Sequence, residues 1–209
     1  MGVPEHGVTD PIVWVDCEMT GLNLSADALI EIAVVVTDSQ LGRLGEGVDI
    51  TIRPPAAALD QMTDVVRRMH TKSGLLDLLE GGVTLSQAQD LVMDYVLAYV
   101  PGAGKAPLAG NSVSTDRGFI DRDLPRLGRH LHYRTIDVSS IKELARRWYP
   151  RVYFAAPEKQ GGHRALNDIF DSIDELRYYR AALFDRDLIL DSEAAKAVAA
   201  EIVATSVRT

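Results

Sequence analysis

The chain has little of several features that would place it in a specialised class of protein. Only one of its 209 residues, Cys17, is a cysteine, which excludes an internal disulfide and fits a reducing compartment. No apolar run approaches the roughly 20 residues that a membrane-spanning helix needs. The N-terminal residues 1–6 lack the basic and apolar stretches of a secretion signal. These absences predict a cytoplasmic protein without a membrane partner.

Positive charge is also scarce, since the formal net charge is −8. Affinity for long nucleic acids comes largely from Lys and Arg side chains that displace counterions from many phosphates, so this class of ligand is disfavoured. A short oligonucleotide remains compatible if metal ions and a few local cations neutralise its phosphates. The basic side chains that do occur concentrate in residues 122–151. This segment either borders a phosphate site or forms a solvated helix face.

The apolar pattern predicts strands first and helices afterwards. Strand-like runs occupy residues 12–19, 29–37 and 48–52, with Gly42, Gly45 and Gly47 in the turn before the third run. Further elements follow, namely helices at residues 59–70, 85–100, 139–148 and 164–183, a helix that ends near residue 127, and strands at residues 107–109 and 133–138. Ser86 and Gln89 suggest a capping box at the start of the helix over residues 85–100.

This order of elements predicts the fold class. Consecutive strands followed by alternating helices and strands indicate an α/β fold, a mixed sheet flanked by helices, in a single domain. We expect that domain to span residues 11–185, after a flexible N-terminus at residues 1–10. Residues 186–209 are alanine-rich and predict a partly helical tail.

Two acidic side chains interrupt the otherwise apolar first strand. Because side chains alternate faces along a strand, Asp16 and Glu18 point to the same side and Cys17 to the other. Two like charges held close together repel, and each raises the pKa of the other. A buried strand end rarely tolerates such a pair without a cation to offset it. The pair therefore predicts a metal site.

Three further candidates are weak alone and stronger together. Asp116 is, by itself, an ordinary first-turn helix residue, and Asp168 shares its helix with other acids that look solvated. His163 and Asp168 would lie roughly 140° apart on one helix and could not face one site. The pair Gly161-Gly162 instead predicts a loop at His163, from which a base could reach a metal-bound water. A surface histidine or helix cap is the alternative.

The ordered set resembles the DEDD exonuclease superfamily, in its histidine-bearing subclass, and within it the oligoribonuclease family. Each motif alone is weak, but the resemblance runs from about residue 12 to residue 184. The motifs that carry it are Asp16-Cys17-Glu18-Met19-Thr20-Gly21-Leu22, Gly110-Asn111-Ser112 with Asp116, Tyr133-Arg134, Asp137-Val138-Ser139, the segment Lys142 to Trp148, His163 to Ile169, and Tyr178-Tyr179-Arg180.

The resemblance implies a ribonuclease H-like fold and a metal-dependent nuclease. Four carboxylates, those of Asp16, Glu18, Asp116 and Asp168, would bind two divalent ions, Mg²⁺ or Mn²⁺, and His163 would act as the general base. The implied activity is 3′→5′ cleavage of very short single-stranded RNA, down to dinucleotides, to 5′-mononucleotides.

The same resemblance implies a substrate site and a partner. Leu22 would wedge against the bases, and Tyr133 would reach the site from the second subunit of a homodimer. The side chains that would hold the 5′ phosphate are those of His70, Ser112, Arg134 and Ser139. Several relatives carry a base-stacking tryptophan where this chain has Val65.

Two alternatives have the same sequence features. One is a related exonuclease with the same chemistry that accepts longer RNA or DNA, against which the 5′-phosphate residues argue. The other is a nucleic-acid-binding module that keeps the fold without the chemistry. The presence of all five candidate residues argues against that module, because a degenerate member should have lost a carboxylate.

Overall fold

A computed structural model describes residues 10–158, 162, 164–184 and 190–205. Five strands form one mixed sheet in the order β3-β2-β1-β4-β5. Strands β1, β2 and β3 pair antiparallel, whereas β4 runs parallel to both β1 and β5. The strands are β1 (Ile12–Met19), β2 (Leu29–Thr37), β3 (Arg43–Thr51), β4 (Leu108–Gly110) and β5 (Thr135–Asp137). The predicted mixed sheet is therefore confirmed.

Helices occupy most of the remaining described chain. They are α1 (Ala56–Asp60), α2 (Asp64–Lys72), α3 (Leu75–Leu78), α4 (Leu85–Tyr99), α5 (Ser114–Asp123), α6 (Pro125–His130), α7 (Val138–Trp148), α8 (Pro150–Phe154), α9 (Ala165–Leu183) and α10 (Ser192–Thr205). In the part of the chain that the structure describes, no helix combines the length and apolarity needed to cross a bilayer.

The two faces of the sheet are buried by different helices. Val13, Val15 and Cys17 of β1 pack on one face among apolar side chains of α4, α5 and α6. Ile12 and Trp14 pack on the opposite face among side chains of α7 and α9. The predicted alternation along β1 is thus confirmed, and it directs Asp16 and Glu18 toward α9.

The first half of the chain requires two corrections. The third strand begins at Arg43, not residue 48, because Gly45 and Gly47 lie inside it with φ of 78° and 86°. A register shift between Val34 and Val36 of β2 accompanies them, as expected of a bulged strand pair. The predicted helix at residues 59–70 is two helices, α1 and α2, because Thr63 caps the second with its side chain.

Further corrections concern boundaries. The capping box of α4 uses Thr84 and Gln87, two residues earlier than predicted. Pro125 divides the predicted helix before residue 127 into α5 and α6, since proline cannot donate the next helical hydrogen bond. Strand β5 keeps only Thr135–Asp137 of the predicted residues 133–138. The pattern had not predicted α3 or α8.

The carboxyl ends of three parallel strands meet at one edge of the sheet. Residue Gly110 of β4 is the partner of Asp137 in β5, and β4 also pairs with β1, which ends at Met19. The N-terminal turn of α9 contacts β1 and β2 from the side. Loops after parallel strands converge at such an edge, which makes it the natural place for a functional site.

Candidate active site

Three carboxylates converge at this edge. Asp16 and Glu18 come from β1, and Asp168 comes from the first turn of α9. One carboxylate oxygen from each of the three lies within 4.8 Å of the others. Strand alternation supplies the first two, and the packing of α9 against β1 supplies the third. A group of this kind has the donor spacing and hard oxygen ligands that a divalent cation requires.

Without a bound cation, burial destabilises the ionised form of these carboxylates. Glu18 is only 8% exposed, and burial raises its pKa to about 8, with further contributions from Asp168, Glu31 and Asp116. Arg164 opposes the shift in the pKa of Glu18 but does not reverse it. A divalent ion would neutralise the cluster and hold these carboxylates ionised, so the residues present fit a metal.

Asp116 lies beside the group of three rather than in it. Its Oδ1 accepts a hydrogen bond from the backbone N–H of Cys17 at 3.0 Å, between the two carboxylates of β1. Burial raises the pKa of Asp116 to about 7, even though hydrogen bonds from Cys17 and from its own backbone lower it. The structure thus brings all four predicted carboxylates to one end of β1, with Asp116 attached through the backbone of Cys17.

The predicted base, His163, lies outside the described residues. Its neighbour Arg164 is the N-cap residue of α9, which begins at Ala165. The predicted start of that helix is therefore correct within one residue. Asp168 falls in the first helical turn, as the argument from the Gly161-Gly162 pair anticipated.

His70 contacts the carboxylate cluster. Its ring is fully buried, and Nε2 lies 2.9 Å from the Met19 carbonyl oxygen, so Nε2 carries the proton that it donates there. Nδ1 then faces Glu18 Oε2 at 3.9 Å. The helix α2 therefore places a histidine next to Glu18 of the carboxylate cluster.

Two of the predicted phosphate ligands are joined through one carboxylate. Asp137 Oδ1 accepts hydrogen bonds from the backbone N–H of Ser112 at 3.0 Å and of Ser139 at 2.9 Å. The hydroxyl of Ser139 donates to the same oxygen at 2.6 Å. Arg134, the residue before β5, is exposed, with its guanidinium 5.4 Å from the ring centroid of Tyr133.

Several large apolar side chains are exposed in the described part of the chain. Leu22 and Tyr133 are each 75% exposed, although such side chains are usually at least half buried. The ends of α7 and α8 add Trp148 at 67% and Phe154 at 82% exposure. Exposed apolar groups of this size often mark a surface that binds a ligand or another protein chain.

Sequence reasoning missed two residues that organise the site, Glu31 and Asp137. Glu31 is a fully buried acid in the apolar run of β2, the same pattern that identified Asp16 and Glu18. Asp137 caps α7, and an acid or serine before a helix is the usual cap pattern. Either pattern could have been noticed, but neither indicates which side chains the acid will contact.

Comparisons with known proteins identify the family and agree with the fold. The exonuclease family RNase_T matches residues 13–176. The chain is 62% identical to the oligoribonuclease of Streptomyces griseus over 197 residues, which cover 94% of this chain and 98% of that protein. It is 56% identical to the oligoribonuclease of Leifsonia xyli over 195 residues, which cover 93% and 94% of the two chains.

The fold is similar to that of exonuclease I from Escherichia coli, solved in a zinc-bound complex with single-stranded DNA. The TM-score is 0.63 at 12% sequence identity, over 84% of this chain and 41% of exonuclease I. At this identity the likeness concerns the fold alone, and this chain spans less than half of that protein. The ribonuclease H-like exonuclease fold predicted from the sequence is thereby confirmed.

Proposed function

Because the chain belongs to the oligoribonuclease family of RNase_T exonucleases, we propose that it is a 3′→5′ exoribonuclease that degrades very short RNA. Its substrates extend down to dinucleotides, and its products are 5′-mononucleotides. The observation that carries the proposal is the cluster of Asp16, Glu18 and Asp168 at the carboxyl edge of the sheet. Its single, buried cysteine fits a cytoplasmic enzyme.

The carboxylates of Asp16, Glu18 and Asp168, together with Asp116, would hold two divalent ions, Mg²⁺ or Mn²⁺. Bound ions of this kind lower the pKa of water and neutralise charge on a phosphodiester. The protein contributes fixed positions for these ligands, because β1 is a buried central strand and α9 packs against it. His163, which precedes α9 in the sequence, would remove the proton of the attacking water.

The 5′ end of the substrate binds where the loop after β4 meets the start of α7, and Ser112, Ser139 and Arg134 hold its terminal phosphate. A phosphate held there closes the site to a chain that continues in the 5′ direction. This closure explains how an acidic protein binds RNA, since a dinucleotide has few phosphates to neutralise. His70, which the resemblance also assigned to this phosphate, is fully buried with Nδ1 3.9 Å from Glu18 Oε2, so it lies against the carboxylate cluster instead. Leu22, exposed after β1, packs against the bases.

The functional unit is a homodimer in which Tyr133 of one subunit completes the site of the other. The exposure of Tyr133, Trp148 and Phe154 supports this assembly, because three large apolar groups in one half of the chain need a covering surface. Aromatic side chains are also the residues that interfaces favour.

A second candidate function is exonuclease activity on longer strands. The carboxylate cluster is compatible with it, because the cluster by itself sets no limit on the length of the strand. It would use the same carboxylates and histidine but would leave the 5′ end of the substrate unbound.

Turnover of 5′-phosphorylated RNAs of two to seven nucleotides, with Mg²⁺, Mn²⁺ or chelator, tests these alternatives. The proposal requires metal-dependent release of mononucleotides that is fastest for the dinucleotide. Asp168→Asn, prepared identically, controls for contaminating nucleases. Equal or faster cleavage of heptamers, or of matched DNA, would assign the second function. Absence of cleavage with every metal would overturn both.

A further inference from the structure

Asp137 links two segments that are distant in the sequence, the loop after β4 and the start of α7. It is the last residue of β5 and the N-cap residue of α7, and its Oδ1 accepts three hydrogen bonds. One comes from the loop after β4, through the backbone N–H of Ser112. Two come from its own helix, through the N–H and the hydroxyl of Ser139. A single oxygen atom therefore fixes the separation of the two serines.

Ser112 needs this support more than an ordinary loop residue does. Its φ is 54°, in the left-handed region that is unfavourable for residues with a side chain. Such a conformation persists only where surrounding contacts hold it. The parallel pairing of Gly110 with Asp137 brings the carboxylate to the correct strand end, and the hydrogen bond to Ser112 then orients the turn.

Strand pairing connects Asp137 to the carboxylate cluster. Asp137 pairs with Gly110 of β4, and β4 pairs with β1, which carries Asp16 and Glu18. The charge of Asp137 also contributes to the raised pKa of Asp116, which accepts a hydrogen bond from the backbone of Cys17 between those two residues. A substrate that binds both the cluster and the two serines must span the distance that this residue and its hydrogen bonds determine.

We propose that Asp137 is a positioning residue that sets the length of the substrate, by holding Ser112 and Ser139 at a fixed distance from the cluster. This proposal rests on the proposed function. The Ser139 hydroxyl has one proton, which it gives to Asp137 in the free protein and turns toward the terminal phosphate in the complex. While the hydroxyl changes partner, the backbone N–H groups of Ser112 and Ser139 keep Asp137 in place.

In this proposal Asp137 acts through its hydrogen-bond acceptor oxygen and not through its charge. Asp137→Ala removes the acceptor and frees both serines, whereas Asp137→Asn keeps an oxygen in the same place. Asp38 offers a matched control in the turn between β2 and β3, at the other end of the sheet. It is also half-buried, and its Oδ1 accepts the backbone N–H groups of Gln40 and Gly42, both at 2.8 Å.

The measurement is the ratio of kcat/KM for a 5′-phosphorylated dinucleotide to that for the same dinucleotide with a 5′ hydroxyl. We expect Asp137→Ala to lower this ratio by about tenfold, mainly through KM, the effect of a lost or displaced hydrogen bond to a charged group. Asp137→Asn should stay within about threefold of the wild-type ratio. Asp38→Ala should keep the wild-type ratio even if its melting temperature falls.

Three results would overturn the proposal. An unchanged ratio in Asp137→Ala, with a collapsed ratio in Arg134→Ala, would leave the proposed function intact and remove the role of Asp137. Equal losses in Asp137→Asn and Asp137→Ala would show that charge rather than the acceptor position matters. A wild-type protein indifferent to the 5′ phosphate would refute the phosphate site itself, and with it any residue that positions it.

Discussion

Glu31 and Arg164 form an ion pair that ties the centre of the sheet to the start of α9. The guanidinium Nε and Nη2 both lie 2.8 Å from Glu31 Oε1, and Oε2 accepts the backbone N–H of Ala165 at 3.0 Å. Glu31 is also the strand partner of Glu18. The same contact that begins α9 therefore holds Asp168 beside Asp16 and Glu18 of β1.

Removing the cation of this pair should destabilise the protein. Arg164→Met leaves the fully buried Glu31 without its guanidinium, so Glu31 must remain charged without its partner or take up a proton. We expect the free energy of unfolding to fall by about 2–3 kcal/mol, somewhat less than for a wholly buried pair, because Arg164 is 29% exposed. Urea unfolding at pH 7 measures the change. The double variant Glu31→Gln with Arg164→Met should recover part of the loss; if it recovers none, the pair is not the cause.

The metal-free protein should lose stability as the pH rises. The pKa values of Glu18 and Asp116 are raised from 4.5 and 3.8 to about 8 and about 7. At a pH between the ordinary and the raised pKa of each group, the folded state keeps a proton that the unfolded chain has released. The free energy of unfolding therefore decreases as the pH rises. Melting in chelator should fall steadily from pH 5 to pH 8.5, a range that brackets these shifts. Mg²⁺ should raise the melting temperature most at the alkaline end of this range. Protons compete with the metal for the carboxylates, and fewer of them are bound at high pH. A melting temperature that rises with pH in chelator would contradict this prediction.

Replacing one carboxylate of the cluster should lower the activity of the enzyme and raise the stability of the metal-free protein. Asp168→Asn removes a charge from a group whose oxygens lie within 4.8 Å of one another. We expect turnover to fall by at least about 100-fold, since metal binding is lost. The metal-free protein should become more stable by about 1 kcal/mol, because the repulsion toward Glu18 disappears. Calorimetric titration with Mn²⁺ and melting in chelator test both parts. Asp171→Asn, three residues further along α9, is the matched control.

Mixing two inactive variants should restore activity if the sites are shared across a dimer. His163→Ala is expected to lose about 10²- to 10⁴-fold in turnover while it still binds metal and RNA. Tyr133→Ala should lose activity because the partner's site lacks its ring. A mixed dimer has one site with an intact His163 and an intact Tyr133 of the partner subunit, so it should reach up to half of the activity of a wild-type dimer. Failure to recover activity after subunit exchange would exclude the contribution of Tyr133 in trans.

An aromatic side chain at Val65 should strengthen substrate binding. Val65 lies on α2 and is 68% exposed, so a larger group meets no steric barrier from the core. Base stacking on an aromatic ring contributes about 1–3 kcal/mol, so Val65→Trp should lower the Kd for a dinucleotide by about five- to 100-fold. Equilibrium binding to the Asp168→Asn background with labelled dinucleotide measures this, and Val65→Leu controls for apolar area alone. Equal effects of Trp and Leu would exclude stacking.

The sequence by itself determined the features that depend on local chemistry. The apolar runs of β1 and β2 predicted both strands to the residue, and the alternation of Asp16 and Glu18 predicted a shared face. The Gly161-Gly162 pair located α9 within one residue of its start. Local patterns did not predict the full length of β3, because Gly45 and Gly47 lie in a bulge that is bracketed by the pairs Val36–Leu44 and Val34–Val48 with β2.

Tertiary structure alone decided which distant residues act together. Glu31 meets Arg164 across 133 positions of the chain, and Cys17 meets Asp116 across 99. Such contacts arise from strand order and helix packing, which fix side chains only after the backbone has folded. The same holds for Asp137, whose sequence context identifies a helix cap but not its second partner, Ser112. Local patterns named the chemical groups of this site, and the sheet determined their distances, because non-local hydrogen bonds and packing have no periodicity along the chain.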